Sequence, residues 1–414
     1  MKKYISAIAL LFFLGNYANA QEVLKLNDIF SLIQGDQPEI KVYDAQIRSL
    51  DEASKGAKSW APPEFGAGFF MTPYNIGLTK AFTNEEGMGA FMISASQMFP
   101  NKKEQDASQQ LMQSMSSVDK ETKKVVLNDL NSEAKENYYA WLIIEKKIRI
   151  LNDNEKLLRF MIESAELRYK NGLGKLDAYY KAEAALGKIE DQREILRNEI
   201  LQKQVALNTL MNRDKNEVFD IDTNYVIKDY NTVDTNYLLQ SRSDLKAVAQ
   251  SLQINQLQLN LEKAKQLPQF GIQYNHMFAF GNSPWLFSLM ATVKIPLAPW
   301  SAESYKANVE SLKWKAQAYN EQGQIILNQA SGDAESLLVS IRSKKKQLAL
   351  FEEKIIPSLR KNYQITQLAY EQNTGDLFEL FDAWESLYMT QVDYLDQLQQ
   401  LLNLQVQMDK VLEQ

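Results

Sequence analysis

The chain offers few of the side chains on which most enzymes and metal sites depend. Its 414 residues include a single histidine, His276, and no cysteine. A disulfide framework, a thiolate metal site, a cysteine nucleophile and a lipidated N-terminal cysteine are therefore excluded. A serine-type triad or a multi-histidine zinc site would need more imidazoles. His276 falls in register with aromatic residues near a strand end, which favours an interfacial position beside Tyr274 and Phe278 over metal ligation.

Methionine thioethers are the remaining candidates for soft-metal chemistry. The chain has 13 methionines, and Met88, Met92 and Met98 share one face of a strand pattern. Thioethers suit Cu(I), but we favour flexible apolar filling and predict neither a metal site nor a cofactor. Asp and Glu are scattered along the helical patterns as solvated faces and i,i+4 pairs. No pair is marked as general acid and base, so we predict no catalytic residue and a protein that is not an enzyme.

The net charge and the N-terminus bound the partners and the compartment. With 46 Lys+Arg against 52 Asp+Glu, the net charge is −6, and no basic stripe is available for nucleic acid. Lys2 and Lys3 precede an apolar run from Ile5 to Leu14, and Ala18-Asn19-Ala20 forms a small-x-small cleavage site. The run is too short for a membrane anchor, which needs about 20 residues. Residues 1–20 are therefore predicted to be a cleaved signal peptide.

The remaining chain reads as an internal duplication. Similar segments recur in the same order at nearly constant spacing: Pro38-Glu39-Ile40 and Ser243-Asp244-Leu245, Pro63-Glu64-Phe65-Gly66 and Pro268-Gln269-Phe270-Gly271, Phe99-Pro100 and Ile295-Pro296, and Tyr169–Leu176 and Tyr370–Leu377. Such order predicts two repeats, residues 21–225 and 226–414. Each is expected to hold a short helix, a strand hairpin (about 64–98 and 269–295) and a long helix pair.

Most of each repeat is predicted to be helical. Residues 102–169 contain no proline or glycine and carry apolar residues three or four apart. The second repeat shows the same pattern over 302–370, interrupted only by Gly323, Gly332 and Pro357. Nearly 70 residues would form rods on the order of 100 Å, coiled against antiparallel partners at about 175–211 and 376–412. Residues 212–240 are expected to form a small collar of loops and short elements.

The strand segments alternate between two kinds of face. One face is apolar and aromatic, with Phe65, Phe69, Phe91, Ile93, Phe270, Ile272, Tyr274, Phe287, Leu289 and Val293. The other includes Ser94, Ser96, Gln273, Asn275, Ser288 and Thr292. Strands of about ten residues cross a bilayer when tilted. A soluble sheet resting on helices is the alternative, but the aromatic face runs the full strand length, so we predict that it faces lipid.

Four strands cannot close a barrel, and an open sheet edge is not tolerated in lipid. Closure therefore needs several copies around a symmetry axis. Three copies would give twelve strands around an aqueous lumen lined by the polar face. We predict a homotrimer.

The order of elements, the duplication, and the motifs Arg168-Tyr169-x-x-Gly172 and Tyr370-x-x-x-x-Gly375 resemble the TolC family of outer-membrane efflux proteins. The resemblance covers essentially the whole mature chain. It implies a mainly α fold with a small β part: a trimer with a 12-stranded outer-membrane barrel, continued into the periplasm by an antiparallel α-helical coiled-coil tunnel. Such a protein is the passive exit duct of a tripartite efflux pump. It is connected to an inner-membrane RND-type or ABC transporter by a periplasmic adaptor (membrane fusion protein).

The segment Ile93–Pro100 is similar to the CzcC- and CusC-like branch, which pairs with heavy-metal RND pumps. Unlike many members, this chain lacks the lipidated cysteine, so its anchorage would rest on the barrel alone.

The resemblance also assigns two sets of site residues. The adaptor would contact the helix tips, at Gly172, Leu173, Gly174, Asn373, Thr374 and Gly375. The run Phe378–Ala383 matches the family's acidic-x-x-Asp-Ala pattern, so Glu379 and Asp382 correspond to its inward-facing gate carboxylates. Asp376 and Asp177 lie nearby and are assigned to the same gate, although their surroundings match the family's pattern less closely. The alternatives are that the glycines only make turns and that the acids form a solvated helix face.

Two other functions remain open from the sequence. One is the outer-membrane component of a type I protein secretion system. The other is a periplasmic coiled-coil scaffold in which the strands form a cap. The sequence does not distinguish a metal ion, a drug or a protein as the exported substrate.

Overall fold

The computed structural model describes residues 22–172, 176–230, 234–296 and 298–414. The predicted signal peptide 1–20 and the tip residues Leu173 and Gly174 lie outside these ranges. The described elements, in chain order, are β1 (Glu22–Leu24), α1 (Leu26–Asp36), α2 (Pro38–Ser54), β2 (Glu64–Phe70), β3 (Glu86–Phe99), α3 (Lys102–Ser114), α4 (Ser116–Lys170), α5 (Leu176–Leu210), β4 (Phe219–Ile221), α6 (Thr235–Ser241), α7 (Ser243–Ala264), β5 (Gln269–Gly281), β6 (Leu286–Lys294), α8 (Pro299–Leu350), α9 (Ile356–Glu371) and α10 (Leu377–Leu412).

The chain folds into two compact units, a sheet unit and a helical unit. The sheet unit contains Val42–Thr122 and Ser243–Ile326. Its four strands form one antiparallel sheet in the order β2-β3-β5-β6, and helices α3 and α7 pack against each other. The strands have 7, 14, 13 and 9 residues, where the alternation predicted about ten for each.

The helical unit contains the described residues of the segments that end at Lys41, Arg242 and Gln414, the last two of which begin at Lys123 and Leu327. Its small sheet pairs β1 with β4 in parallel, with Val23 opposite Asp220. The sequence did not predict this sheet, because three residues are too few to show a period-two alternation.

Two apolar clusters form the core of the helical unit. In the first, Trp141 packs edge-on against Phe219, with ring centroids 5.2 Å apart. In the second, Leu158 and Met161 of α4 pack with Leu380 and Trp384 of α10. These residues lie on single stripes of their helices, as the spacing of three and four requires.

The long helices are shorter than the sequence predicted. The first rod is divided at Met115, between α3 and α4, and α4 then continues for 55 residues, about 80 Å at the α-helical rise. Gly323 and Gly332 lie inside α8 and do not interrupt it. The second rod instead changes to a π-helical turn at Phe351–Ile355, directly before Pro357 in the first turn of α9. Proline disrupts the helical hydrogen bonds of the preceding turn, so the irregularity lies on its N-terminal side.

Among the described residues, no helix combines the length and apolarity needed to cross a membrane.

Candidate functional site

The aromatic residues of the four-stranded sheet lie on one face. Backbone pairing places Ala67 opposite Ile93, Ile93 opposite His276, and His276 opposite Phe287. The same face holds all ten residues that the alternation assigned to lipid: Phe65, Phe69, Phe91, Ile93, Phe270, Ile272, Tyr274, Phe287, Leu289 and Val293. Every one of them is exposed in the protomer. A contiguous exposed patch of this size marks a surface that contacts lipid or another apolar partner.

His276 is part of this aromatic face. Its ring stacks on Tyr274 with centroids 6.4 Å apart and meets the edge of Phe278 at 4.5 Å. Its Nδ1 atom lies 3.3 Å from the Tyr274 hydroxyl. Among the described residues, no group of three or more His, Asp and Glu side chains is arranged to hold a metal ion.

The opposite face of the sheet is polar. The Asn275 amide donates to the Ser288 hydroxyl at 3.0 Å, and the Gln273 amide donates to the Asn275 carbonyl oxygen at 3.2 Å. The Thr292 hydroxyl lies 3.6 Å from the Met98 sulfur. Gly271 lies between these last two, where a Cβ atom would come within 2.6 Å of the Thr292 hydroxyl.

The methionines of the sheet also belong to the polar face. Met92 pairs with Met277 across the β3–β5 ladder, and Met290 pairs with Gln273. The sequence alternation had already placed Met290 on the polar face with Ser288 and Thr292. Met277 was not singled out, although its even spacing from Gln273 within β5 places it on the same face.

The turns that follow α4 and α9 have different residue types at the position with a positive φ. Gly172 has a φ of 72° after α4, as expected for a glycine that ends a helix. After α9, Asn373 adopts the left-handed conformation, with a φ of 59°, and the N–H groups of Thr374 and Gly375 donate to the Ala369 carbonyl. Gly375 was expected to supply the positive φ. Its backbone instead passes close to Ala369, where a Cβ would lie 3.2 Å from the carbonyl carbon.

Arg168 joins these two helix ends. Its guanidinium lies 3.9 Å from the centroid of the Tyr370 ring. It also donates to the Tyr370 carbonyl and to the Asn373 side-chain oxygen. Burial raises the pKa of the Tyr370 phenol, and the nearby Arg168 charge opposes that rise. The sequence motif contained Arg168, but its contact with the second turn becomes evident only from the fold.

The predicted gate carboxylates lie at the start of α10. Asp376 is the N-cap residue of this helix. Leu377, Leu380 and Phe381 are buried, whereas Glu379 and Asp382 are exposed on the other side. Neither Glu379 nor Asp382 forms an ion pair within the described part of the protomer. Asp177 lies in the first turn of α5, so the protomer carries acids at the start of both helices.

A cavity of about 430 Å³ between α5 and α10 was not predicted. Trp384 and Tyr388 line it with parallel rings 5.6 Å apart, and the Trp384 indole donates to Asn154 at 2.8 Å. Lys181 also lines it, with its ammonium 4.3 Å from the Phe381 ring centroid. The i,i+3,i+7 spacing of Phe381, Trp384 and Tyr388 on α10 was the available sequence pattern, but it also fits an ordinary core stripe.

Comparisons with known proteins identify the fold. No protein-family model and no curated protein sequence matches the chain. Among solved structures, the outer-membrane channel OprN is 14% identical, covers 94% of this chain and 89% of its own, and has a TM-score of 0.74. CusC, a protein that forms a transmembrane channel, is 13% identical over 96% of this chain and 94% of its own, with a TM-score of 0.74.

The outer membrane protein VceC from Vibrio cholerae is 15% identical over 94% of this chain and 95% of its own, with a TM-score of 0.72. At such identities the likeness establishes the fold, which this chain shares with these channel proteins over nearly its whole length.

Proposed function

We propose that the chain is a TolC-family outer-membrane channel that acts as the passive exit duct of a tripartite efflux pump. The observation that carries this proposal is the division of the sheet into an exposed aromatic face and an opposite face that holds its polar side chains. Such a division fits a strand set that contacts lipid on one side and water on the other. The shared fold with outer-membrane channels supports the same conclusion.

The active unit is a homotrimer. In the described residues, β2 and β6 each pair with one strand only, and unpaired strand edges are not tolerated in lipid. Three copies supply a closed 12-stranded barrel with the polar face toward the lumen. A scaffold protein of the soluble periplasm would have to cover the same aromatic face by other means, and no observation favours that arrangement.

The helical part serves as the periplasmic tunnel and partner-binding end. The turns at Gly172 and Asn373–Gly375, held together by Arg168, provide a surface for a periplasmic adaptor that links the channel to an RND-type or ABC transporter. Glu379 and Asp382, exposed at the start of α10, form the narrow gate when threefold symmetry brings three copies together. Concentrated carboxylates of this kind favour cations in a pore.

Fractionation of cells that produce the protein tests the proposal. We expect it in the outer-membrane fraction, with a trimer band on detergent gels that converts to monomer on boiling. A control carrying Leu289→Arg should lose the trimer band, because the charge would lie on the lipid face. A monomer or dimer in the soluble periplasmic fraction would refute the proposal.

A further inference from the structure

This inference rests on the trimer proposed above. In a closed barrel, the two unpaired edge strands of each sheet, β2 and β6, must meet the edge strands of neighbouring copies at a seam. We propose that β6 of each protomer pairs antiparallel with β2 of the next, in a register that places Lys294 beside Glu64 of the partner subunit. The sheet is antiparallel throughout, with β2 and β6 as its outer strands. An antiparallel seam therefore continues the same hydrogen-bond pattern around the barrel.

The two faces of the sheet restrict the register. Phe65, Ala67 and Phe69 of β2 lie on the aromatic face, together with Leu289, Ala291 and Val293 of β6. A shift by one residue would turn one strand's aromatic residues toward the polar face. Glu64 can therefore meet only residues of the polar set on β6, which are Leu286, Ser288, Met290, Thr292 and Lys294.

The strand ends select among these positions. β2 begins at Glu64 and β6 ends at Lys294, and these ends lie at the same edge of an antiparallel sheet. Placing Glu64 opposite Lys294 pairs all seven residues of β2 with β6. A slip of two residues in either direction leaves the two charged residues diagonal to each other, about 7–8 Å apart at Cα, which a lysine side chain still spans.

The charges of the two edges are complementary. Glu64 and Lys294 are both exposed, and neither forms an ion pair or a side-chain hydrogen bond within the described residues of the protomer. Glu104 is the carboxylate that would compete with Glu64 for Lys294. It accepts a 2.7 Å hydrogen bond from Gln269, the cross-strand partner of Lys294. An ion pair across the seam would favour this register, because the two charges are closest when directly opposite, are farther apart after a slip of two residues, and lose each other after a slip of four.

Cysteine cross-linking tests the seam directly, since the chain contains no native cysteine. We expect Glu64→Cys/Lys294→Cys to give covalent dimers and trimers after oxidation, visible on boiled, non-reducing gels. Within one protomer the two positions are separated by β3 and β5, at least about 14 Å at the usual strand spacing, which is too far for a disulfide. Any cross-link therefore joins two copies. The control Phe65→Cys/Lys294→Cys places the thiols on opposite faces and should not cross-link.

Charge exchange provides a second measurement if the cysteine variant assembles poorly. Glu64→Lys and Lys294→Glu should each lower the temperature at which the trimer dissociates, and the double variant should recover it. Glu104→Gln should leave that temperature unchanged. Trimers that form without the 64–294 cross-link, or single variants as stable as the double, would overturn the register. Failure of the unaltered protein to form trimers would instead refute the proposed function.

Discussion

At the scale of single residues, the sheet face on which a strand side chain lies determines whether we expect it to contact lipid or water. Leu289 and Met290 are neighbours of similar size, but Leu289 shares the aromatic face with Tyr274, and Met290 shares the polar face with Gln273. Sequence alternation predicted the face of Leu289 because the strand period is fixed at two. The alternation says nothing about which residues pair across strands, so the pairing of His276 with Phe287 could be read only from the fold.

We predict opposite outcomes for an arginine at these two neighbouring positions. Leu289→Arg places a charge toward lipid and should destabilise the trimer by about 2–4 kcal/mol near the bilayer midplane. Met290→Arg, with the same new side chain facing the lumen, should leave trimer stability nearly unchanged. Gel bands of unboiled outer-membrane protein over a temperature series measure both. Equal loss of trimer in the two variants would show that the faces are assigned wrongly.

The acidic residues of α10 allow a second residue-scale prediction. Glu379 and Asp382 are exposed on the side of α10 opposite its buried face, and three copies near the symmetry axis would attract cations and repel anions. We expect Glu379→Ala/Asp382→Ala to increase single-channel conductance and to reduce cation selectivity, measured as the reversal potential in a salt gradient. Glu413→Ala, which removes an acid at the other end of the same helix, is the control.

A correctly assembled double variant with native conductance and native selectivity would remove both residues from the gate. A conductance change in the Glu413→Ala control would show that the effect follows net charge alone.

At the scale of secondary structure, the sequence predicted the helices and strands better than their interruptions. The glycine- and proline-free run of α4 and the alternation of β5 and β6 each extend over many residues, so their periods stand out. The π-helical turn at Phe351–Ile355 occupies a single turn, and its residues fit the surrounding helical pattern. The turn after α9 was assigned to glycine, but Asn373 takes the left-handed conformation, which asparagine tolerates better than most residues.

At the scale of single helices, we predict that alanine substitution of two glycines changes stability in opposite directions. Gly172 has a φ of 72°, so Gly172→Ala should destabilise the helix end by about 1–2 kcal/mol. Gly187 lies inside α5, and a Cβ there would meet no atom within 4 Å. Gly187→Ala should therefore stabilise the protein by about 0.5–1 kcal/mol through helix propensity.

The temperature at which the helical circular-dichroism signal is lost measures both glycine variants. A decrease for Gly187→Ala would indicate that another copy packs against that position in the trimer. An increase for Gly172→Ala would contradict the left-handed backbone at the turn.

At the scale of the whole molecule, the candidate site depends on assembly, which a single chain only implies. The protomer leaves two sheet edges unpaired within the described residues, exposes a continuous aromatic face and presents acids at the start of α5 and α10. Sequence patterns predicted the faces and the acids because both follow from local spacing. The cavity beside Trp384 and the Arg168 contact with Tyr370 could not be predicted, since each joins residues from distant parts of the chain.

Ion conduction by the purified trimer is the most direct test of the central claim. Unboiled protein from the outer membrane should insert into planar lipid bilayers and produce discrete, uniform current steps of small amplitude. The same preparation boiled to monomers should produce none, because the barrel would be lost. Intact outer-membrane trimers that insert into the bilayer, yet carry no current even with Glu379→Ala/Asp382→Ala, would contradict the account of this protein as a channel.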